Sequence, residues 1–112
     1  MTARLDVERL VAEYSKLSTP NVSDGLDRLS IKGAPHGIGP LWPACKKIVG
    51  PAATMKLVGL GEGLEEPSAA MGSLEAVKAA NKGDVLVIDH GGRLDVNSYG
   101  GIVGFTTQYF GL

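Results

Sequence analysis

The stretch GDVLVIDHGGRLDVNSYGG, from Gly83 to Gly101, decides the fold class of this chain. Its apolar run, Val85 to Ile88, is short and uninterrupted, which is typical of a strand buried on both faces of a parallel sheet. The run ends at two polar residues, Asp89 and His90, which a glycine pair follows. We therefore predict a buried strand over 85–88, and an irregular loop over 89–98 at its carboxyl end.

The periodicity of apolar residues on both sides of this stretch predicts an α/β chain. The last segment, Tyr99 to Phe110, is β-branched like a strand, but Gly111 follows it in the manner of a helix stop, so we predict a helix. The other predicted elements are a helix over Asp6–Leu17, a helix with Thr19 as N-cap and Pro20 at its first position, a loop over 31–46, strands on both sides of Gly50-Pro51, and a helix over Ala69–Asn81. The helix over 69–81 is predicted to have one face made of Met71, Leu74 and Val77 with Lys78 at its margin. The last helix is predicted to have a face made of Ile102, Val103, Thr106 and Phe110.

Length, charge and cysteine content favour a single cytoplasmic domain over 1–112. The chain has 112 residues and a net charge of -1, with no block of Lys or Arg, so we expect no nucleic-acid partner. No stretch approaches the ~18 apolar residues that a membrane span needs, so we expect no membrane partner. Cys45 is the single cysteine, which fits a reducing compartment, and we expect a buried, inert thiol.

The polar residues after the apolar run leave two interpretations open, a ligand site and a glycine-rich turn, in about equal balance. Asp89 and Asp95 offer oxygen ligands for a divalent cation, but capping of turns is the favoured interpretation. His90 offers a base or a ligand, but for both His90 and His36 an ordinary surface or turn histidine is favoured. The pattern GLGEGL over 59–64 lacks the third glycine of a dinucleotide fingerprint and is rejected as one.

A helix that begins near Tyr99 or Gly100 would present free N–H groups at the carboxyl end of the strand. Ligands of open α/β sheets bind at such strand ends, and helix N-termini bind carboxylates and phosphates. Glycines at the start of the helix would let a ligand approach the backbone. The sequence therefore predicts an anionic ligand.

Three blocks of the chain, taken together and in this order, resemble the RraA-like family. They are LSTPNVSDGLDRL over 17–29, GIGPLWPACKKIVGPAATMKL over 37–57 and GDVLVIDHGGRLDVNSYGG over 83–101. The family includes 4-hydroxy-4-methyl-2-oxoglutarate aldolases, oxaloacetate decarboxylases and the regulator of ribonuclease E activity. The resemblance implies a β/β/α swivelling-domain fold, a ring-shaped homotrimer, and a Mg²⁺- or Mn²⁺-dependent lyase that releases pyruvate from a 2-oxo acid.

The resemblance also implies which residues bind the substrate. The segment that holds the pyruvate moiety through backbone N–H groups matches Gly100, Gly101, Ile102 and Val103. Arg93 could add a charge-assisted contact to the substrate, although a surface salt bridge is the alternative. Asp24 and Asp27 are expected on a helix surface.

Two departures from the family pattern bear on activity. Gly101 stands where the family has an acid that organises metal-bound water, and the family's Arg-Asp pair would lie beyond Leu112. We therefore expect no metal ligand within the chain, a fold incomplete at its C-terminus, and little or no aldolase activity from residues 1–112. The alternative is a non-catalytic binding module that acts through protein–protein contacts, which Gly101 favours.

Overall fold

The computed structural model describes residues 6–59, 62 and 72–112. The chain divides into two compact units, Met1–Val49 and Gly50–Leu112. Most of the GLGEGL pattern and the first residues of the helix predicted from Ala69 lie outside the described residues. The assignment of all 112 residues to one domain stays a prediction.

The first unit contains two helices, α1 (Val7–Tyr14) and α2 (Thr19–Arg28). Asp6 is the N-cap of α1, and its carboxylate accepts a hydrogen bond of 3.0 Å from the N–H of Arg9. Helix α1 ends before the predicted Leu17. The N–H groups of Lys16 and Leu17 donate to the carbonyls three residues earlier, as in a 3₁₀ turn, instead of four residues earlier as in an α-helix. The two helices were correctly predicted, and Asp24 and Asp27 of α2 are exposed as expected.

The N-cap of α2 is Ser18, so the prediction of Thr19 was wrong by one residue. Ser18 has an extended backbone, with φ -81° and ψ 157°, and its hydroxyl accepts from the N–H of Asn21 at 3.2 Å. The Asn21 side chain accepts in return from the N–H of Ser18 at 3.1 Å, which completes a capping box. Pro20 consequently lies at the second helical position. An N–H there would have no partner within the helix, so proline costs no helical hydrogen bond.

Replacing Ser18 with alanine is expected to lower the free energy of unfolding by about 1 kcal/mol, because the N–H of Asn21 loses its acceptor. Urea unfolding of the variant measures this loss. Ser18→Asp is the matched control, since a carboxylate can accept the same bond. Equal stability of Ser18→Ala and the parent chain would contradict the assigned cap.

The loop that follows α2 is tied to the turn between the two helices by Lys47. Its ammonium donates to the carbonyl oxygens of Ser15, at 2.7 Å, and Leu17, at 2.8 Å. As predicted, residues 31–46 form neither helix nor strand. Cys45 is half-buried, so the expectation of a buried thiol was wrong, because this loop covers it only in part.

The second unit contains β1 (Ala52–Lys56), α3 (Gly72–Ala79), β2 (Val85–Asp89) and α4 (Gly101–Phe110). The two strands are parallel, in a register that pairs Ala52 with Val85 and Lys56 with Asp89. Helix α3 packs against β1 and α4, which makes this unit an α/β structure, as predicted. None of the helices in the described ranges is long and apolar enough to cross a membrane.

The strand predicted before Gly50-Pro51 does not form, and the ladder begins after this pair. The carbonyl of Pro51 accepts from the N–H of Val85 at 2.7 Å, but proline has no N–H to donate to a strand. Ile48, which would lie in the missing strand, is 70% exposed. Pro51 therefore marks the beginning of β1 rather than a break between two strands.

Strand β2 was correctly predicted, but its burial on both faces was not. Val87 is 41% exposed, and the other residues of the strand are half-buried or exposed. The sheet has only two strands in the described part of the chain, so β2 has one described neighbour instead of two. An apolar run predicts the strand itself, but it does not predict how many strands will pair with it.

The core of the second unit lies between α3 and α4. Val77 and Val103 are fully buried there, and the buried polar residues Ser73 and Thr107 extend the contact by one helical turn on each side. The predicted helix faces were therefore partly wrong. Lys78 is exposed, Ile102 is 66% exposed, and Thr107 is buried in place of Thr106, because α4 turns the Val103–Thr107 pair toward α3.

Candidate functional site

The loop from β2 to α4 begins with two tight turns. The carboxylate of Asp89 accepts from the N–H of Gly91 at 2.8 Å, and the carbonyl of His90 accepts from the N–H of Arg93 at 3.2 Å. Gly91 and Gly92 have positive φ angles of 61° and 76°, which side-chain-bearing residues rarely adopt. The irregular loop was correctly predicted, and Asp89 caps a turn in it.

Arg93 and Asp95 form a two-pronged ion pair in the middle of this loop. The Arg93 guanidinium donates to the two carboxylate oxygens of Asp95, at 3.1 and 2.8 Å. This bond lowers the pKa of the Asp95 carboxyl and raises the pKa of the Arg93 guanidinium. The pair is exposed to solvent, and Asp95 already offsets the positive charge that a substrate carboxylate would bind, although the Nη1 N–H groups of Arg93 do not bond Asp95.

His90 and Ser98 lie at opposite ends of the loop and meet through their side chains. His90 Nε2 and Ser98 Oγ are 2.5 Å apart, and the pair is part-buried. The sequence favoured an ordinary turn histidine and assigned Ser98 no role. No spacing could have shown this pair, because the contact depends on how residues 91–97 fold back.

Tyr99 fixes the backbone between Ser98 and α4. Its N–H donates to the side-chain oxygen of Asn97 at 3.1 Å, and its hydroxyl lies 2.9 Å from the hydroxyl of Thr107. The Thr107 hydroxyl in turn donates to the carbonyl of Gly104 at 2.7 Å. The Tyr99 ring also lies over Gly104, where an added Cβ would be 3.5 Å from it. These contacts anchor the start of α4 to the buried side of the helix.

The first turn of α4 has backbone N–H groups with free hydrogen-bonding capacity. In the described part of the chain, no group accepts a hydrogen bond from them. The N-cap, Gly100, is extended, with φ -131° and ψ -169°, and it has no side chain to cap the helix. The first bond inside the helix runs from the N–H of Gly104 to the carbonyl of Gly100, at 2.9 Å. The N–H groups of Gly101, Ile102 and Val103 precede it and remain available.

The four residues that the sequence assigned to the substrate are thus consecutive at the N-terminus of α4. Gly100 and Gly101 are exposed, and Ile102 projects into solvent, while the side chain of Val103 is buried against α3. The site is therefore open on the side of the two glycines. Its donors are backbone groups of a ten-residue helix, whose dipole adds positive potential at this end.

The acidic residues of the described ranges do not assemble a metal-ligand group there. No three His, Cys, Asp or Glu side chains come together among these residues. An oxygen of Asp89 is used by the turn at Gly91, and both oxygens of Asp95 are used by Arg93. The residues of the loop and of the first turn of α4 are suited to bind a carboxylate, and they do not by themselves form a site for a divalent cation.

Comparison with protein-family models matches residues 19–112 to one family, RraA-like, which is described as Aldolase/RraA. The match begins at the first residue of α2 and runs through the loop and all of α4. This chain belongs to the RraA-like family. Comparisons with curated proteins and with solved structures found no match. The sequence-based recognition of the family from three ordered blocks is confirmed.

In this RraA-like chain the matched range includes every residue assigned to the substrate, from Arg93 to Val103. The description of the family names both an aldolase and RraA, so it sets the family without choosing between an enzyme and a regulator. The loop from β2 to α4 and the first turn of α4 are the parts of the chain that bear on this choice.

Proposed function

We propose that this RraA-like protein acts on 2-oxo acids, as an aldolase or decarboxylase that releases pyruvate. The observation that supports the proposal is the set of unpartnered N–H groups at Gly101, Ile102 and Val103, at the end of a loop that follows a parallel strand. Three converging donors and the helix dipole suit a carboxylate, the group that every 2-oxo acid carries.

In this proposal the first turn of α4 binds the carboxylate, and the glycines allow it to approach. A side chain at position 100 could cap α4 and compete for the donors, but glycine leaves them free. Tyr99 holds the turn in place through Thr107, so the donors are arranged before the ligand arrives. Such prior arrangement reduces the entropy that is lost on binding. Arg93 would supply a second charged contact through guanidinium N–H groups that do not bond Asp95.

Further features of the proposal rest on the family. They are a Mg²⁺ or Mn²⁺ cofactor, which would polarise the 2-oxo acid, a homotrimer, a swivelling-domain fold and a cytoplasmic location. The described residues do not complete a ligand set for the cation, so we assign no step to it. What these residues themselves do is bind and orient the carboxylate.

Titration of the ¹⁵N-labelled protein with pyruvate tests the proposal. We expect the largest amide shift changes at Gly101, Ile102 and Val103, because new hydrogen bonds to a carboxylate form there. Chloride at the same ionic strength is the control for a general salt effect. Saturable shifts elsewhere with none in α4, or no pyruvate-specific shift at all, would contradict a carboxylate site at this helix.

A second candidate is a binding module that acts through protein–protein contacts, and one side of α4 favours it. Ile102, Phe105 and Tyr109 follow one another on this side and are 66%, 72% and 76% exposed. Exposed apolar surface of this kind is typical of an interaction site. In this case pyruvate would leave the α4 amide signals unchanged, so the same titration distinguishes the two candidates.

A further inference from the structure

The carboxylate site proposed above lacks a group that can move a proton. Backbone N–H groups hold an anion, but they do not exchange protons with a substrate during turnover. Cleavage of a 4-hydroxy-2-oxo acid requires that the hydroxyl proton leaves and that a proton is added to C3 of the pyruvate fragment. A general acid–base group is therefore needed close to the first turn of α4.

The His90–Ser98 pair has the chemistry and the position for this task. His90 is the only histidine of the second unit, and histidine is the side chain that ordinarily changes charge near neutral pH. Its Nε2 is in hydrogen-bond contact with Ser98 Oγ, and Ser98 lies two residues before the N-cap Gly100. The pair is only part-buried, so solvent or a small substrate can reach it.

Both members of the pair are held by tight turns rather than by chance contact. The turns at Asp89–Gly91 and His90–Arg93 fix the backbone of the histidine. The side chain of Asn97 accepts from the N–H of Tyr99, so Ser98 lies inside a compact side-chain-to-backbone turn. Tyr99 is itself anchored to Thr107. The two ends of the loop are thus held independently, and Ser98 lies two residues before the N-cap of the helix whose N–H groups would bind the carboxylate.

We propose that Ser98 and His90 form the proton relay of this site, an inference that rests on the proposed function. Ser98 is the catalytic residue, because its hydroxyl would contact the substrate, and His90 acts through it. In aldol cleavage the C4 hydroxyl gives its proton to Ser98 Oγ as the Ser98 proton passes to His90 Nε2. The C3–C4 bond then breaks to a carbonyl and an enolate, and the same relay returns the proton to C3.

This cycle balances without any further reactant. One proton leaves oxygen and one reaches carbon, the bonding electrons stay with the enolate until it is protonated, and His90 ends in its starting form. The relay also predicts a partial reaction, the exchange of pyruvate methyl protons with solvent, which requires proton transfer at C3 but no carbon–carbon cleavage.

Methyl exchange of pyruvate in D₂O, followed by ¹H NMR with residues 1–112 and Mg²⁺, tests the relay. Exchange needs no carbon–carbon cleavage, so we expect it above that of a protein-free sample even though we expect little aldolase activity from this chain. We expect its protein-dependent rate to decrease about a hundredfold in His90→Gln and Ser98→Ala. Glutamine can keep a hydrogen bond to Ser98 but cannot act as a base. His90→Ala instead leaves space for added imidazole, which should partly restore the protein-dependent exchange of that variant. His36→Gln is the matched control and should exchange like the parent protein.

The amide titration of each variant separates this inference from the proposed function. If pyruvate binds at α4 but neither substitution slows exchange, or the parent exchanges no faster than the blank, the relay is wrong and the carboxylate site stands. If pyruvate does not bind the parent protein, both proposals are wrong. If imidazole fails to restore any protein-dependent exchange to a folded His90→Ala variant, His90 has a structural role only, and the relay is again overturned.

Discussion

Replacing Gly101 with proline is expected to weaken pyruvate binding at least about tenfold while leaving the protein folded. Proline removes one of the three free N–H donors, and a hydrogen bond to a charged group contributes about 1.5 kcal/mol or more. The site accepts proline because Gly101 is the first residue of α4, the helical position that proline favours. Gly100 before it is extended, with φ -131° and ψ -169°, as a residue before proline prefers.

Gly101→Ala is the matched control, because alanine keeps the N–H and an added Cβ at this position meets no atom within 4 Å. Isothermal titration with pyruvate should give this variant a dissociation constant close to that of the parent. Circular dichroism of both variants checks that α4 remains helical. Equal pyruvate affinities of Gly101→Pro and Gly101→Ala would show that the N–H of residue 101 is not a ligand donor.

Replacing Gly50 with alanine is expected to lower the free energy of unfolding by about 2 kcal/mol. An added Cβ at this position would collide with the carbonyl oxygen of Gly83. The peptide unit that carries this oxygen cannot move away freely, because its N–H, that of Asp84, donates to the carbonyl of Asn81 at 3.0 Å. The N–H of Gly83, in the preceding peptide unit, donates to the carbonyl of Gly111 at 2.8 Å. Next to it, the N–H of Val85 donates to Pro51 at the beginning of the strand ladder. The clash is with backbone, so no side-chain rotation can relieve it.

Gly72→Ala is the control for this prediction, since its added Cβ meets nothing within 4 Å and lies at the start of α3. Urea unfolding should leave this variant as stable as the parent or slightly more stable, because alanine favours the helix. A Gly50→Ala variant with the stability of Gly72→Ala would show that the chain segments at 50, 83 and 111 do not meet as closely as described.

Local patterns were sufficient for the elements that depend on a few neighbouring residues. The strand at Val85, the loop after it and the glycine stop of α4 at Gly111, with φ 80°, were all predicted. The same holds for the start of α4, because adjacent glycines cannot cap a helix with side chains and so leave its N–H groups free. The N-cap of α2 was predicted one residue too late, because serine and threonine are both favoured at N-caps and Ser18 and Thr19 are adjacent.

Long-range pairing was not predictable from the same patterns. The apolar composition around Ile48 predicted a strand, but the loop there is bound through Lys47 to the turn at Ser15. On the side of α4 that faces α3, Val103 was correctly predicted, but Ile102 and Thr106 were predicted where Thr107 is buried, because helix periodicity alone does not say where the partner helix lies.

By itself, the sequence determined the family, the α/β class and the place of the free N–H groups at the start of α4. The family depends on ordered motifs, the fold class on an apolar run, and the free N–H groups on glycines that have no side chain to cap the helix. Only the tertiary structure decided that His90 meets Ser98, that Arg93 is paired with Asp95, and that Tyr99 reaches Thr107. The physical reason is that each of these contacts forms when a loop closes or a helix turns, and the conformation of the intervening backbone sets which side chains meet.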